Sequence, residues 1–236
     1  MPADPTQNEA EFDEFAVDYD AELNKGLALS GESKDYFASG RMEWLRRKFE
    51  RRGFAPKVAL DFGCGTGSST PYFFDTLGVD SLSGVDPSDD SLGVARVEFG
   101  DRQVEFSTSE NFHATGPIDF AFCNGVFHHI PIAHREAAVS FVFENLRPGG
   151  LFAFWENNAW NPVTRYAMSK VAFDRDAILL FPHGARTLLK NGGFEIVATD
   201  YQFFFPSPLA LFRPMEKWLS KLPLGGQYLV LARKPG

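Results

Sequence analysis

The sequence predicts an α/β protein whose Rossmann-like parallel sheet is covered by helices on both faces. From Lys57 onward, short apolar segments alternate with segments of helical periodicity. One apolar segment, 58–62, runs directly into a loop with glycine at positions 63, 65 and 67. A turn of this kind from a buried strand into a helix is typical of a βαβ unit that binds a nucleoside-like ligand. Asp86 ends the next apolar segment, where a ribose-binding carboxylate is expected.

The composition indicates one domain of 236 residues with a core rich in phenylalanine, which occurs 25 times. The net charge is −8, and the short basic runs at 46–48 and 51–52 are interpreted as a solvated helix face, so no nucleic-acid partner is expected. The two cysteines lack the spacing of metal ligands, and no metal site is predicted. The first residues do not resemble a signal peptide, and no apolar run is long enough to span a bilayer. A reduced, cytoplasmic protein is therefore expected.

Residues 1–55 are predicted to form a helical cap. The apolar residues within 12–19 recur at helical spacing, which indicates a short amphipathic helix, and a second helix is predicted over 33–52. Arg41 projects from the apolar stripe of this second helix, where a lone charge is costly. Its side chain therefore either extends to water or meets an anion, which is a protein carboxylate or a ligand.

The remaining elements follow in order along the chain. Strands are predicted at 58–62, 81–86, 104–107, 118–123, 151–155, 194–205 and 227–232. Helices are predicted at 68–77, 87–99, 132–146 and 184–191, and the Arg-Pro-Gly-Gly run at 147–150 is a helix-stop signal. The stretches 156–183 and 206–224 show no clean periodicity and carry several aromatic residues.

Two motifs resemble those of a known family. The run LDFGCGTG at 60–67 resembles the first motif of the class I S-adenosylmethionine-dependent methyltransferases, and Gly84-Val85-Asp86 resembles their second. The resemblance is clearest over 57–150 and implies one domain over 1–236, with sheet order 3-2-1-4-5-7-6 and an antiparallel last strand. The start of the chain is similar to the cap of small-molecule methyltransferases such as those of quinone biosynthesis. The segments 156–183 and 206–224 would then form lids on the acceptor side.

The resemblance also implies the cofactor, S-adenosylmethionine, and where it binds. Ligands of open α/β sheets lie beyond the carboxyl ends of the strands. In this family the glycine loop packs against the methionine part, the acid of the second motif holds both ribose hydroxyls, and the loop after the third strand contacts adenine. The candidate cofactor-binding residues are Asp61, Gly63, Cys64, Gly65, Gly67, Asp86, Pro87, Ser109, Glu110, Asn124, Gly125 and Arg41.

His128 and His129 follow the fourth predicted strand and are the candidate catalytic residues. A hydroxyl acceptor usually needs a general base with a pKa near neutrality, which histidine provides, whereas a neutral nitrogen needs little help. We expect one of the two histidines to line the pocket and the other to pack or bond locally, and the alternative is that both are structural. Tyr19 is a further candidate, as a wall of the pocket.

The leading interpretation is an enzyme that transfers a methyl group from S-adenosylmethionine to an oxygen, nitrogen or carbon atom of a small molecule. One alternative is a nucleotide-dependent oxidoreductase, because the βαβ start is shared, although Ser68 stands where its fingerprint requires glycine. Another is a relative that binds the cofactor without turnover. The acceptor stays open: the aromatic residues suit a flat or lipid-like molecule, and the asparagines suit a sugar nucleotide.

Overall fold

A computed structural model describes residues 26, 30–114, 116–171 and 177–236 of the chain. The predicted helix over 12–19, and with it Tyr19, lies outside the described residues. None of the helices in these ranges is long and apolar enough to cross a membrane.

The core of the fold is a sheet of seven strands in the order β3-β2-β1-β4-β5-β7-β6. The strands β1 to β5 pair in parallel, and β7 runs antiparallel to both of its neighbours, β5 and β6. This confirms the predicted strand order and the direction of the last strand. The strands are β1 Val58–Phe62, β2 Ser81–Val85, β3 Val104–Ser107, β4 Ile118–Asn124, β5 Leu146–Asn157, β6 Glu195–Gln202 and β7 Gln227–Arg233.

Helices connect most of these strands, as the alternating pattern predicts. They are α1 Lys34–Glu50, α2 Thr70–Asp75, α3 Asp89–Phe99, α4 Arg135–Asn145, α5 Pro162–Met168, α6 Pro182–Asn191 and α7 Glu216–Leu219, with 3₁₀ turns at Ile132–His134 and Ser207–Met215. Ser33 and Ser88 cap α1 and α3, because their hydroxyls accept the N–H of the residue three positions later. Helix α2 is shorter than the predicted 68–77, because the tight glycine loop extends to Ser69.

The largest correction concerns β5, which starts at Leu146 and not at the predicted Leu151. Helix α4 ends before the Arg-Pro-Gly-Gly run, as the stop signal predicts, but the run itself belongs to the strand. Two long-range backbone bonds hold it there: Gly149 donates to Lys234, and Lys234 donates to Gly150, both over 2.9 Å. A pairing of this kind with a distant segment leaves no local sequence signal.

Both faces of the sheet are buried, as is usual for parallel sheets. Along β5, Phe152 and Phe154 pack into the cluster that also contains helix α6, whereas Ala153 and Trp155 pack into the cluster that contains helix α1. The predicted phenylalanine-rich core is therefore divided into two layers by the sheet. The carboxyl ends of β1 and β4 lie side by side between these layers, and the candidate site begins there.

Candidate active site

The glycine loop after β1 has a backbone that other residues rarely adopt. Gly63, Gly65 and Gly67 have φ angles of +74°, +52° and +77°. A Cβ atom at Gly63 would lie 2.3 Å from the side chain of Val126, and one at Gly67 would lie 2.9 Å from Phe99. A Cβ atom at Gly65 would meet nothing within 4 Å. Gly63 and Gly67 are thus required by packing, while Gly65 faces open space, as a ligand cradle requires.

Strand β2 holds this loop in place. The N–H groups of Gly63 and Cys64 both donate to the carbonyl of Val85, over 2.7 and 3.1 Å. The Asp86 carboxylate accepts the N–H of Gly65 on Oδ2 over 2.8 Å and that of Ser88 on Oδ1 over 3.0 Å. Asp86 therefore shapes the loop. The predicted contact of Asp86 with the ribose stays a prediction.

A cavity of about 390 Å³ opens beyond the ends of β1 and β4. Seven of the predicted cofactor residues border it, namely Arg41, Asp61, Gly63, Cys64, Gly65, Asn124 and Gly125. The other five lie outside its lining: Gly67 is buried in packing, Asp86 is half-buried behind the loop, and Pro87, Ser109 and Glu110 are exposed. The cavity thus covers the part of the site predicted for the methionine end, while the ribose and adenine contacts stay predictions.

Asp61 and Arg41 bring opposite charges to this cavity. Asp61 is buried, and burial raises the pKa of its carboxyl to about 8; the negative charge of Asp86 adds to this effect, and Arg41 opposes it. Arg41 is buried as well, and its Nη1 donates to Oε1 of Gln227 over 3.0 Å. Gln227 in turn donates to Oδ1 of Asn157 over 3.3 Å. The sequence predicted that Arg41 either extends to water or meets an anion, and it did not indicate the Gln227 amide, because 186 residues separate the pair.

His128 forms a close pair with a buried carboxylate. Its Nδ1 lies 2.7 Å from Oε2 of Glu156, and both side chains are almost completely buried. The backbone N–H of Phe127 donates to Oε1 of Glu156 over 2.8 Å, which fixes the carboxylate. Because a carboxylate only accepts hydrogen bonds, the pairing favours the tautomer with the proton on Nδ1 and makes Nε2 the basic nitrogen. Sequence reasoning found His128 but did not pair it with Glu156.

The ring centre of His129 lies 4.0 Å from that of His128. Burial, together with the neighbouring His128, lowers the pKa of His129 well below the usual histidine range, so this ring is neutral at neutral pH. Both histidines border the cavity. The expectation that only one of them would do so is therefore wrong: the turn after Asn124 places them as neighbouring rings.

The cavity has a polar and an apolar lining. The polar lining comes mainly from the strand ends and includes Arg41, Asp61, Asn124, His128, His129, Asn157 and Gln227. The apolar lining comes mainly from α1, α5 and the residues after β6, and includes Tyr36, Phe37, Val163, Met168, Val171, Phe203, Phe204 and Phe205. Phe203 has a φ angle of +63° and is the one residue other than glycine with positive φ in the described ranges. Its ring packs edge-on against Phe37, with centroids 4.8 Å apart.

The two cysteines are free thiols. Cys64 and Cys123 are buried, and burial raises the pKa of both thiols well above the usual value, so both stay protonated. Within the described ranges, no group of three or more histidine, cysteine or acidic side chains is placed to hold a metal ion.

The chain is similar to known methyltransferases in sequence and fold. Residues 60–152 match a family of methyltransferase domains. The trans-aconitate 2-methyltransferase of Escherichia coli strain SE11 is 26% identical over 190 residues, which cover 75% of each chain. That of Rhizobium rhizogenes strain K84 is 32% identical over 95 residues, and the matched region spans only 36% of its length and 40% of this chain.

The fold is shared with the magnesium protoporphyrin IX methyltransferase of Synechocystis PCC 6803, whose structure contains bound S-adenosylhomocysteine. The two superpose with a TM-score of 0.66 and 15% identity over 98% of this chain and 100% of that one.

Proposed function

We propose that this chain, as a class I S-adenosylmethionine-dependent methyltransferase, methylates a hydroxyl oxygen of a small organic acceptor with His128 as the general base. The observation that carries this proposal is the buried His128–Glu156 pair in the same cavity as the glycine loop. A base held by a carboxylate is what a hydroxyl acceptor requires.

The residues around the loop fit the cofactor. Gly65 offers an open backbone surface to a ligand, Asp61 offers a carboxyl group, and Arg41 offers a cation for a carboxylate. When bound, S-adenosylmethionine supplies a methyl group made electrophilic by the adjacent sulfonium. The further contribution of the chain is to align the acceptor and to exclude water, and the apolar lining suits the latter.

His128 and Glu156 would act as a unit. Glu156 orients the imidazole through Nδ1, so that Nε2 can take the acceptor proton as its oxygen is methylated. The imidazolium that forms is stabilised by the carboxylate at 2.7 Å. His129 is neutral at neutral pH because of its lowered pKa, so it adds no positive charge that would oppose this step.

The acceptor would combine an apolar body with a few polar groups. The apolar lining provides phenylalanine and methionine side chains, while Asn157 and Gln227 provide amides. The segments 156–183 and 206–224 would act as lids, a role supported by Val163, Met168 and Pro206, which border the cavity.

A second candidate function is methyl transfer to a carboxylate. It is favoured by the trans-aconitate 2-methyltransferase relatives and by Lys34 and Arg41, two cations that border the cavity. A carboxylate is already an anion and needs no base, so His128 and Glu156 would then serve only the structure.

The test is formation of S-adenosylhomocysteine by the purified protein with hydroxylated aromatic compounds and with tricarboxylates. On the true hydroxyl acceptor, His128→Ala should lower turnover about 10²–10⁴-fold at unchanged cofactor affinity. The control is His134→Ala, which removes an exposed histidine from the 3₁₀ turn and should leave turnover unchanged.

Normal turnover of His128→Ala on a hydroxyl acceptor would contradict the base assignment. Turnover on tricarboxylates alone would favour the second candidate. Cofactor binding without turnover on any acceptor would favour a non-catalytic relative.

A further inference from the structure

The segment 207–224, here called the docking segment, exposes an unusual number of apolar side chains. Leu211 is 87% exposed, Trp218 70% and Leu224 64%, and Phe212, Met215 and Leu222 are each nearly half exposed. Exposed apolar residues are normal when scattered, but a concentration of this kind within one short segment marks an interaction surface.

Two charged side chains of this segment, Arg213 and Glu216, point towards the protein and fasten the segment to it. Arg213 pairs with Glu32 and lies 4.4 Å from the ring centre of Tyr36. Glu216 is buried, and its Oε1 accepts the N–H groups of Phe204 and Phe205, each over 3.1 Å.

Lys221 anchors the far end of the segment, since its Nζ donates to Oδ1 of Asp200 over 2.6 Å and to the carbonyl of Thr199 over 3.0 Å. A surface segment normally turns its charges outward and its apolar residues inward. Here the charges hold the segment in place, and the apolar residues are presented to the surroundings.

The exposed charged residues of this segment, Lys217 and Lys221, are positive, and Lys221 also pairs with buried Asp200. The four charged residues of the segment are Arg213, Glu216, Lys217 and Lys221, and Glu216, the single acid, is the buried one. The Nζ atom of Lys217 lies 4.4 Å from the ring centre of exposed Trp218. The whole chain carries a net charge of −8, so the positive sign is local.

We propose that the docking segment attaches the protein to the surface of an anionic phospholipid bilayer. Exposed tryptophan, phenylalanine and leucine beside lysine are the composition of interfacial membrane segments, in which the apolar groups enter the headgroup boundary and the lysines meet anionic lipids. A second copy of the chain fits this surface less well, because a two-fold contact would bring together two segments whose exposed charges are both positive. The segment also continues directly from Phe205 and Pro206, which border the cavity, so the bound membrane would lie beside the proposed acceptor site.

The experiment is co-sedimentation of the full chain with phosphatidylcholine vesicles, with and without phosphatidylglycerol. The wild type should sediment with the anionic vesicles and much less with the neutral ones. The double variant L211S/W218S should reduce this binding at least about tenfold, because two exposed apolar anchors are lost. The matched control is Val97→Ser, which removes a side chain that is 90% exposed on α3, beside the opposite edge of the sheet.

A second variant tests the proposal even if the first one misfolds. Lys217→Glu reverses an exposed charge and leaves the apolar surface intact, so it should weaken binding to anionic vesicles only. The proposal is overturned if the wild type does not bind anionic vesicles, or if L211S/W218S binds as the wild type does. It is also overturned if the wild type is dimeric in analytical ultracentrifugation and L211S/W218S is monomeric, since the surface would then join two copies.

Discussion

Backbone with positive φ occurs in both linings of the cavity, but different residues adopt it. In the loop beside the polar lining, glycine takes this conformation at positions 63, 65 and 67, where it is nearly free of steric cost. In the apolar lining Phe203 takes it, which costs about 1–3 kcal/mol and persists because the surroundings hold the residue. The Gly226 N–H donates to the Phe203 carbonyl over 3.0 Å, and the Phe203 ring packs against Phe37 and Trp155.

This difference shows that the two linings are specified in different ways. The loop beside the polar lining is one contiguous motif, and its glycines allow the positive φ angles that the loop adopts. The apolar lining is assembled from α1, α5 and the residues after β6, and its geometry follows from their packing. Substitutions in the glycine loop should affect protein stability and cofactor binding, whereas substitutions around His128 should affect turnover.

The largest expected effect tests the glycine loop. Gly63→Ala should lower the free energy of unfolding by about 2–5 kcal/mol, because it adds an unfavourable φ to a clash with Val126. Gly65→Ala, with open space around its Cβ, should cost only the backbone part, about 1–2 kcal/mol, and should mainly weaken cofactor binding. Denaturant unfolding and calorimetry measure the two effects. Equal stability losses in both variants would remove the distinction between a packed and an open glycine.

The next effect tests the pair formed by His128 and Glu156. Glu156→Gln should lower turnover on a hydroxyl acceptor about 10²-fold, because an amide can turn its NH₂ group towards Nδ1 and favour the wrong tautomer of His128. Cofactor affinity should stay the same, since Glu156 lies outside the cavity lining. Glu136→Gln, the same exchange at an exposed site on α4, is the control. Unchanged turnover in Glu156→Gln would leave the carboxylate acceptor as the better proposal.

A pH effect of intermediate size is expected from Asp61. Its pKa is about 8 in the folded protein against an ordinary value of 3.8, so the folded state binds the extra proton between these values. The free energy of unfolding of the cofactor-free protein should therefore fall as pH rises from about 4 to about 8, and this contribution should stay constant above that window. Thermal unfolding across this range, compared between wild type and Asp61→Asn, measures it.

Cofactor affinity should change in the opposite direction. A sulfonium cation near Asp61 favours its charged form, so S-adenosylmethionine should bind about tenfold more tightly at pH 8 than at pH 6. Asp61→Asn should remove this dependence, and Asp101→Asn, at an exposed turn, should retain it. Calorimetry that finds the same pH slope in wild type and Asp61→Asn would rule out Asp61 as its source.

The smallest effect concerns Arg41. If it meets the methionine carboxylate, Arg41→Met should weaken S-adenosylmethionine binding about threefold to tenfold and leave adenosine, which lacks that carboxylate, nearly unaffected. Arg47→Met, an exposed change on the same helix, serves as the control. Equal losses for both ligands would assign Arg41 to packing and to its bond with Gln227.

The parts of the molecule that the sequence predicts are those with local causes. Most strands, the glycine turn and the capped helix after Ser88 depend on residues close in the chain, and they lie where the patterns indicate. The sheet order was predicted from the family resemblance, and that resemblance rests on two short motifs, which are also local. The turn after Asn124 identified His128 and His129 for the same reason.

The rest depends on contacts between distant residues. The early start of β5 results from its bonds to Lys234, and the partner of Arg41 lies on β7. Glu156 was recognisable as an acid at a strand end, but its pairing with His128 depends on β4 and β5 lying side by side. The positive φ of Phe203 could not be predicted from its residue type, because only the surrounding packing requires it.

The position of β7 has a consequence for biosynthesis. Strand β7 follows the six other strands of the sheet in sequence, yet it lies between β5 and β6 in space. During translation β6 therefore emerges before the strand that connects it to the sheet, and both β5 and β6 have an unpaired edge until residues 227–233 leave the ribosome. The hydrogen bond between Arg41 and Gln227 cannot form during the same interval. Until β7 has emerged, the nascent chain exposes these unpaired strand edges, and a chaperone would have most to protect during this interval.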